Sequence, residues 1–254
     1  MNRMLAVARN TFRESVRDKV LYVLLFFAGV TIFGSKALGW ISIGQDIKIV
    51  KDIALAAISL FGVLIAIFVG TSLVYKEIDK RTLYTIITQP MHRYEFILGK
   101  YLGLMGLLLA VTAIMTGVSA VYVLLLGGGL DAMFFLAILL IYWKLLLVTA
   151  FAVLLSALTS PILGAIIVFS VYAFGHATGV FRDLPPQFDG TVAKQVLEIA
   201  YYLIPNLSNF DIRAEAANGV PVAPAYVAWV LVYGLAYTAA LLILAALAFE
   251  DKDV

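Results

Sequence analysis

The chain predicts an all-α membrane protein: six transmembrane helices, an amphipathic helix before them, a short helix in one polar connection and another in the segment before the last span. Three observations carry this. Of 254 residues, 63% are hydrophobic and 13% charged, where a soluble domain has roughly 45–50% and 25%. The mean hydropathy is +1.01. Apolar runs of the length that crosses the hydrocarbon, about 20 residues, occupy 20–42, 53–75, 97–126, 132–158, 161–181 and 224–249. The net charge of +2 is too small to imply a nucleic-acid partner. Cysteine is absent, which excludes disulfides, thiolate metal sites and thiol catalysis.

The N-terminal residues 1–19 read as an interfacial helix. At helical spacing Met4, Leu5, Ala8, Phe12 and Val16 share one face, and Arg3, Arg9, Arg13 and Arg17 crowd the next. Such a helix lies with apolar side chains at the acyl boundary and guanidinium groups among phosphates. The alternative is a charged cytoplasmic extension of the first span. Four arginines ahead of a long apolar run with no small-residue cleavage site do not form a secretory leader. Spans one to five follow over 20–181. Leu158-Thr-Ser-Pro161 separates the fourth from the fifth, and Pro161 suits the first turn of a new helix. In the outer segment 182–223, Val192, Val196, Ile199 and Leu203 recur at helical spacing until Pro205, predicting a short helix. Asn206 to Pro224 reads as loop, and 224–249 is the sixth span.

Orientation follows lysine and arginine. With the N-terminus inside, cytoplasmic segments hold 11 of these residues and outer segments hold 6, which puts both termini in the cytoplasm. Between spans two and three runs the most polar connection, from Glu77 to Lys100. It contains Thr82, an apolar helical piece with Leu83, Ile86 and Ile87, then Pro90-Met-His-Arg93 and Leu98-Gly-Lys100, with Lys80 and Arg81 among its charges. Apolar residues inside a charged connection favour a docking surface over a solvated loop that only sets topology.

These residues resemble the permease subunits of type-2 ABC exporters, and the copper-enzyme-maturation-like permease group among them. The pattern there is a Glu, Gly-Thr, a short apolar helix, Pro-x-x-Arg and Leu-Gly-Lys; Arg81 stands where that glycine is usual. Pro205-Asn-Leu before the last span and the charged tail after Phe249 extend the resemblance along the whole chain. It implies one permease domain over 1–254 in a bacterial or archaeal inner membrane, paired with a second permease copy and driven by a cytoplasmic ABC ATPase. The coupling residues it implies are Glu77, Lys80, Arg81, Thr82, Leu83, Ile86, Ile87, Pro90 and Arg93. ATP and Mg would be bound by the ATPase, and no cofactor by this chain.

The chain's own residues agree that it is not the motor. Gly99-Lys100 is followed by Tyr101 and no P-loop is present, so no ATPase chemistry is expected here. No span pairs a serine with a base, or two acids at mid-depth, for intramembrane catalysis. The six methionines are scattered, so no copper site is read. A non-transporting scaffold or mechanotransmitting subunit, with an outer partner at 182–223, is the alternative function. An ion-coupled carrier lacks its repeated halves and buried acids.

Lys144 falls near the middle of the fourth span. An ammonium there costs about 2.5–3.5 kcal/mol on insertion scales. It either lines a path or contacts an anionic substrate or lipid, or it snorkels, aided by Tyr142 and Trp143 as interfacial anchors. His176 reads as an interfacial polar residue, with a metal ligand or pH switch as the alternative. Gly99 with Gly103 and Gly175 with Gly179 are pairs that admit close helix approach. The fifth span, together with the first, is the expected dimer seam by family analogy.

Overall fold

The computed structural model describes residues 3–39, 45–75, 92–182 and 204–250, and within these the regular structure is helical throughout. An amphipathic helix, α1 (Arg3–Val16), precedes α2 (Lys19–Gly39) and α3 (Asp46–Leu73). Then come α4 (Arg93–Leu125), α5 (Ala132–Leu158) and α6 (Pro161–Arg182). A 3₁₀ turn (Leu207–Phe210) and the short α7 (Arg213–Asn218) lead into α8 (Pro224–Glu250). Helices α2, α3, α4, α5 and α8 are long and apolar enough to cross a membrane; in α6 that apolar stretch is the shorter Pro161–Ala177. The hairpin read from Leu158-Thr-Ser-Pro161 is present, since α5 stops at Leu158 and α6 starts on Pro161.

Helices α3 and α5 form the centre. Leu55, Ile58, Ile65, Leu104, Phe134, Leu145 and Leu147 are sealed among their neighbours. Around this pair, α2 packs on α3, α8 on α5 and α4 on both. The outward faces of α2, α6 and α8 carry Phe26, Ile162 and Val232 exposed, as helices bordered by lipid do. At one end Lys51 on α3 pairs with Asp131 at the start of α5, with Nζ donating at 2.7 Å.

The interval read as loop from Asn206 to Pro224 is partly helical. Asn206 Oδ1 accepts the Ser208 backbone N–H and so starts the 3₁₀ turn. Gly219 ends α7 with φ +68°, the left-handed C-terminal position that glycine fills without strain. The helix expected through Val192, Val196, Ile199 and Leu203 lies outside the described residues.

Helix α1 departs from its expected orientation. Its enclosed face is Ala8, Thr11 and Ser15, whereas Leu5 is 59% exposed. The reason lies on α4. A methyl group built on Gly103 would stand 2.6 Å from the Ala8 carbonyl oxygen, and one on Gly99 2.9 Å from that of Met4. Small residues on both helices let the backbones touch, and this contact sets the rotation of α1 more strongly than its widest apolar arc. Gly103→Ala should therefore lower the thermal midpoint of the purified protein, at a cost of about 1–3 kcal/mol. Gly117→Ala, which meets nothing within 4 Å, should be neutral or slightly stabilising in the same melt.

Candidate functional site

The polar connection joins the bundle through two described ends. Glu77, Lys80, Arg81, Thr82, Leu83, Ile86, Ile87 and Pro90 lie outside the described residues. On the entry side α3 gives way at Val74. The backbone N–H groups of Val74 and Tyr75 donate to Ser156 Oγ on α5 at 2.8 and 3.2 Å. On the exit side the Glu95 carboxylate accepts the His92 backbone N–H at 3.3 Å, bracing the first turn of α4. Arg93, read from the sequence as a docking residue, donates from Nη1 to the Phe249 carbonyl at 3.2 Å. A cation at the end of α8 satisfies a carbonyl of its last turn and complements the helix dipole. Phe96 and Phe249 stack beside it with ring centroids 5.6 Å apart.

The interfacial residues divide. Arg9, Arg13 and Arg17 are exposed, while Phe12 is half-buried and reaches Gly106 of α4. Lys100, the last residue of the Leu-Gly-Lys motif, is 1% exposed. Its ammonium sits 5.4 Å from the Phe96 ring centroid and 4.0 Å from the Glu14 carboxylate of α1. Adjacent residues of one short motif thus hold the same helix, Gly99 by close approach and Lys100 by charge.

At the middle of the bundle the structure brings together residues that the sequence leaves apart. Lys144 is 1% exposed, and its Nζ donates to Ser59 Oγ at 2.7 Å. It also lies 3.4 Å from His176 Nε2 on α6 and 5.8 Å from the Tyr172 ring centroid. His176 Nδ1 is 3.2 Å from the Tyr172 carbonyl oxygen. That carbonyl only accepts, so Nδ1 carries the hydrogen and Nε2 offers a lone pair to the ammonium. Lys144 therefore does not snorkel. Tyr142 and Trp143 both bond within the chain. The Tyr142 hydroxyl donates to the Met105 carbonyl at 3.2 Å, and the Trp143 indole to that of Leu231 at 3.0 Å.

The segment before α8 caps this cluster. A methyl group on Gly175 would lie 2.8 Å from both the Pro205 carbonyl oxygen and Leu207 Cγ, so the glycine expected at a dimer seam packs inside its own chain. The Asn206 backbone N–H donates to the Tyr233 hydroxyl at 2.8 Å. Just beyond, Arg213 grips Asp211 with two hydrogen bonds, Nε to Oδ1 at 2.7 Å and Nη2 to Oδ2 at 2.6 Å. Burial opposes ionisation of Asp211, but the Arg213 hydrogen bond and charge, with Lys144 beyond, hold its carboxyl below its ordinary value. The Asp211 hydrogen bond in turn raises Arg213, against its own burial, with Asp52 of α3 adding to the attraction.

Ser59, Tyr172, Asp211 and Arg213 escape a sequence reading. Asp211-Ile-Arg213 looks like an ordinary polar loop, and Ser59 and Tyr172 like span residues. The one available signal was the unneutralised Lys144, which demands a partner without saying where it comes from.

Ser59→Ala should leave the buried ammonium short of an acceptor and destabilise the protein by about 1–3 kcal/mol in thermal unfolding. For Asp211 the lowered carboxyl means that the pair contributes fully above the ordinary value of 3.8 and is lost as pH falls through the lowered one. Asp211→Asn should therefore melt lower than the parent chain near neutral pH and converge with it under strong acid.

Comparison with curated proteins returns no match. A family model described as ABC-2 family transporter protein matches residues 5–254, nearly the whole chain. Its members are membrane permease subunits that normally work with a cytoplasmic ATPase, which accords with a bundle of apolar helices interrupted by one charged connection. The chain belongs to the ABC-2 family of transporter proteins.

Proposed function

We propose that the chain is the permease half of an ATP-driven exporter and that residues 77–93 receive the stroke of a separate ATPase. The observation that supports this most is the attachment of that connection at both ends. Ser156 ties its entry to α5, and Arg93 ties its exit to the end of α8. A load on the connection would reach four helices at once, α3, α4, α5 and α8, rather than being absorbed by a slack loop. Glu77, Lys80, Arg81 and Thr82 would register the partner's cleft, and Leu83, Ile86 and Ile87 would fill it, with Pro90 ending the helix. ATP and Mg belong to that partner.

In the same reading α6 is the fifth of six crossings, both termini face the cytoplasm, and a second copy completes the path. The exposed face of α6, with Ile162 77% and Ile166 58% exposed, is the seam that remains once Gly175 is taken by Pro205 and Leu207. Lys144 faces the path only when the two halves rearrange and the outer segment lifts.

Replacing residues 77–90 by a flexible glycine–serine linker, with Arg93 kept, should abolish copurification of an ATPase while leaving the thermal midpoint within a few degrees. Retention of the ATPase would discard the docking assignment. Lys144→Leu should reduce ATP-coupled transport at least about tenfold if one charge-assisted contact is lost; unchanged transport would reduce Lys144 to a structural residue.

A further inference from the structure

Between α1 and α2 the chain turns through Arg17 and Asp18, and this elbow faces the last turn of α3. A cleft of about 340 Å³ lies between them, bordered by Glu14, Ser15, Arg17, Asp18 and Lys19 on one side and by Ser72 between Val69 and Leu73 on the other. Ser15 is 2% exposed, lines the cleft, and its hydroxyl has no hydrogen-bond partner. A buried hydroxyl in that condition is costly unless something fills its valence.

The surrounding charges say what would fill it. The Glu14 carboxylate has the Lys100 ammonium 4.0 Å away. Asp18 Oδ1 accepts the Val20 backbone N–H at 3.0 Å, at the start of α2. Ser72 Oγ donates to the Val69 carbonyl at 3.0 Å. Glu14 and Asp18 are thus engaged, which leaves the cations Arg17 and Lys19 on the lining. The unpartnered Ser15 hydroxyl and these two cations can all donate, which suits a compact anion rich in acceptor oxygens. Position narrows the class further. The elbow stands where the amphipathic α1 passes into the apolar α2, and a helix of the α1 kind lies at the depth of phospholipid phosphates. Val69 and Leu73 add apolar surface for a chain attached to that anion.

We propose that the α1–α2 elbow is a phosphate-binding site, occupied by the phosphate of a phospholipid from the adjoining leaflet, with the Ser15 hydroxyl, the Arg17 guanidinium and the Lys19 ammonium as donors. The site is independent of the ATPase assignment and stands whether or not that assignment survives. Its occupant wedges the elbow against α3, next to the point where the polar connection leaves the bundle.

The test uses the full-length protein, purified in detergent and stripped of lipid. Thermal midpoints are followed against added phosphatidylglycerol, phosphatidylcholine or inorganic phosphate, and retained lipid is counted by native mass spectrometry. The parent chain should regain a bound phospholipid and melt higher. Ser15→Ala and Arg17→Gln should each weaken the half-saturating lipid concentration by about tenfold, the loss of one charge-assisted contact. Lys36→Gln, a charge removed at the far end of α2, should not. Ser15→Ala is the safe variant for folding, because it deletes a hydroxyl that lacks a partner and should melt no lower than the parent in lipid-free detergent. Equal lipid response in the parent, Ser15→Ala and Arg17→Gln chains would overturn the proposal. Full stabilisation by millimolar inorganic phosphate alone would overturn the lipid assignment in favour of the free ion.

Discussion

Inside a bilayer no water completes a hydrogen bond, so every polar atom at mid-depth must find its partner within the protein. Three consecutive residues of α5 carry that constraint for this chain. Tyr142 bonds to α4, Trp143 to α8, and Lys144 to Ser59 of α3 and His176 of α6. A return bond from the Tyr101 hydroxyl of α4 to the Leu146 carbonyl, at 3.3 Å, closes the set. Lipid tails are as apolar as leucine, so hydrophobicity alone would not bind these helices to one another. Directed bonds and close packing do so, and α5 is where they converge.

This arrangement connects the two ends of the molecule. Helix α5 bonds to α3 at Lys144 with Ser59, and Ser156 receives the chain as it leaves α3. The segment before α8 reaches the same helix pair from the other end. Pro205 and Leu207 fill the hollow at Gly175, and the Asp211–Arg213 pair extends the field of the buried cation. Helix α5 runs unbroken from Ser156 to Lys144, and α6, which holds His176, meets the cap by packing at Gly175.

The helix α1 shows the same economy at the edge of the bundle. Arg9 and Arg13 are exposed, while the opposite side of the helix is occupied by the glycines of α4. Lys100, beneath them, is shielded by Phe96 and drawn to Glu14. The motif Leu98-Gly-Lys100 is therefore a helix–helix contact as much as the opening of a span.

The sequence by itself determined the class of the molecule, because apolar length and composition answer directly to the thickness of the hydrocarbon. Residue numbers of the long helices, the break at Pro161, the amphipathic start and the family pattern around Pro90 and Lys100 all follow from local information. The rotation of α1, the seat of Gly175 and the company kept by Lys144 did not. Each depends on residues tens of positions apart meeting across helices that are apolar nearly all round. A helix of that kind carries no amphipathic stripe to announce which face turns inward. Only the tertiary packing decided that a lysine, a serine and a histidine on three different helices would share one enclosed site.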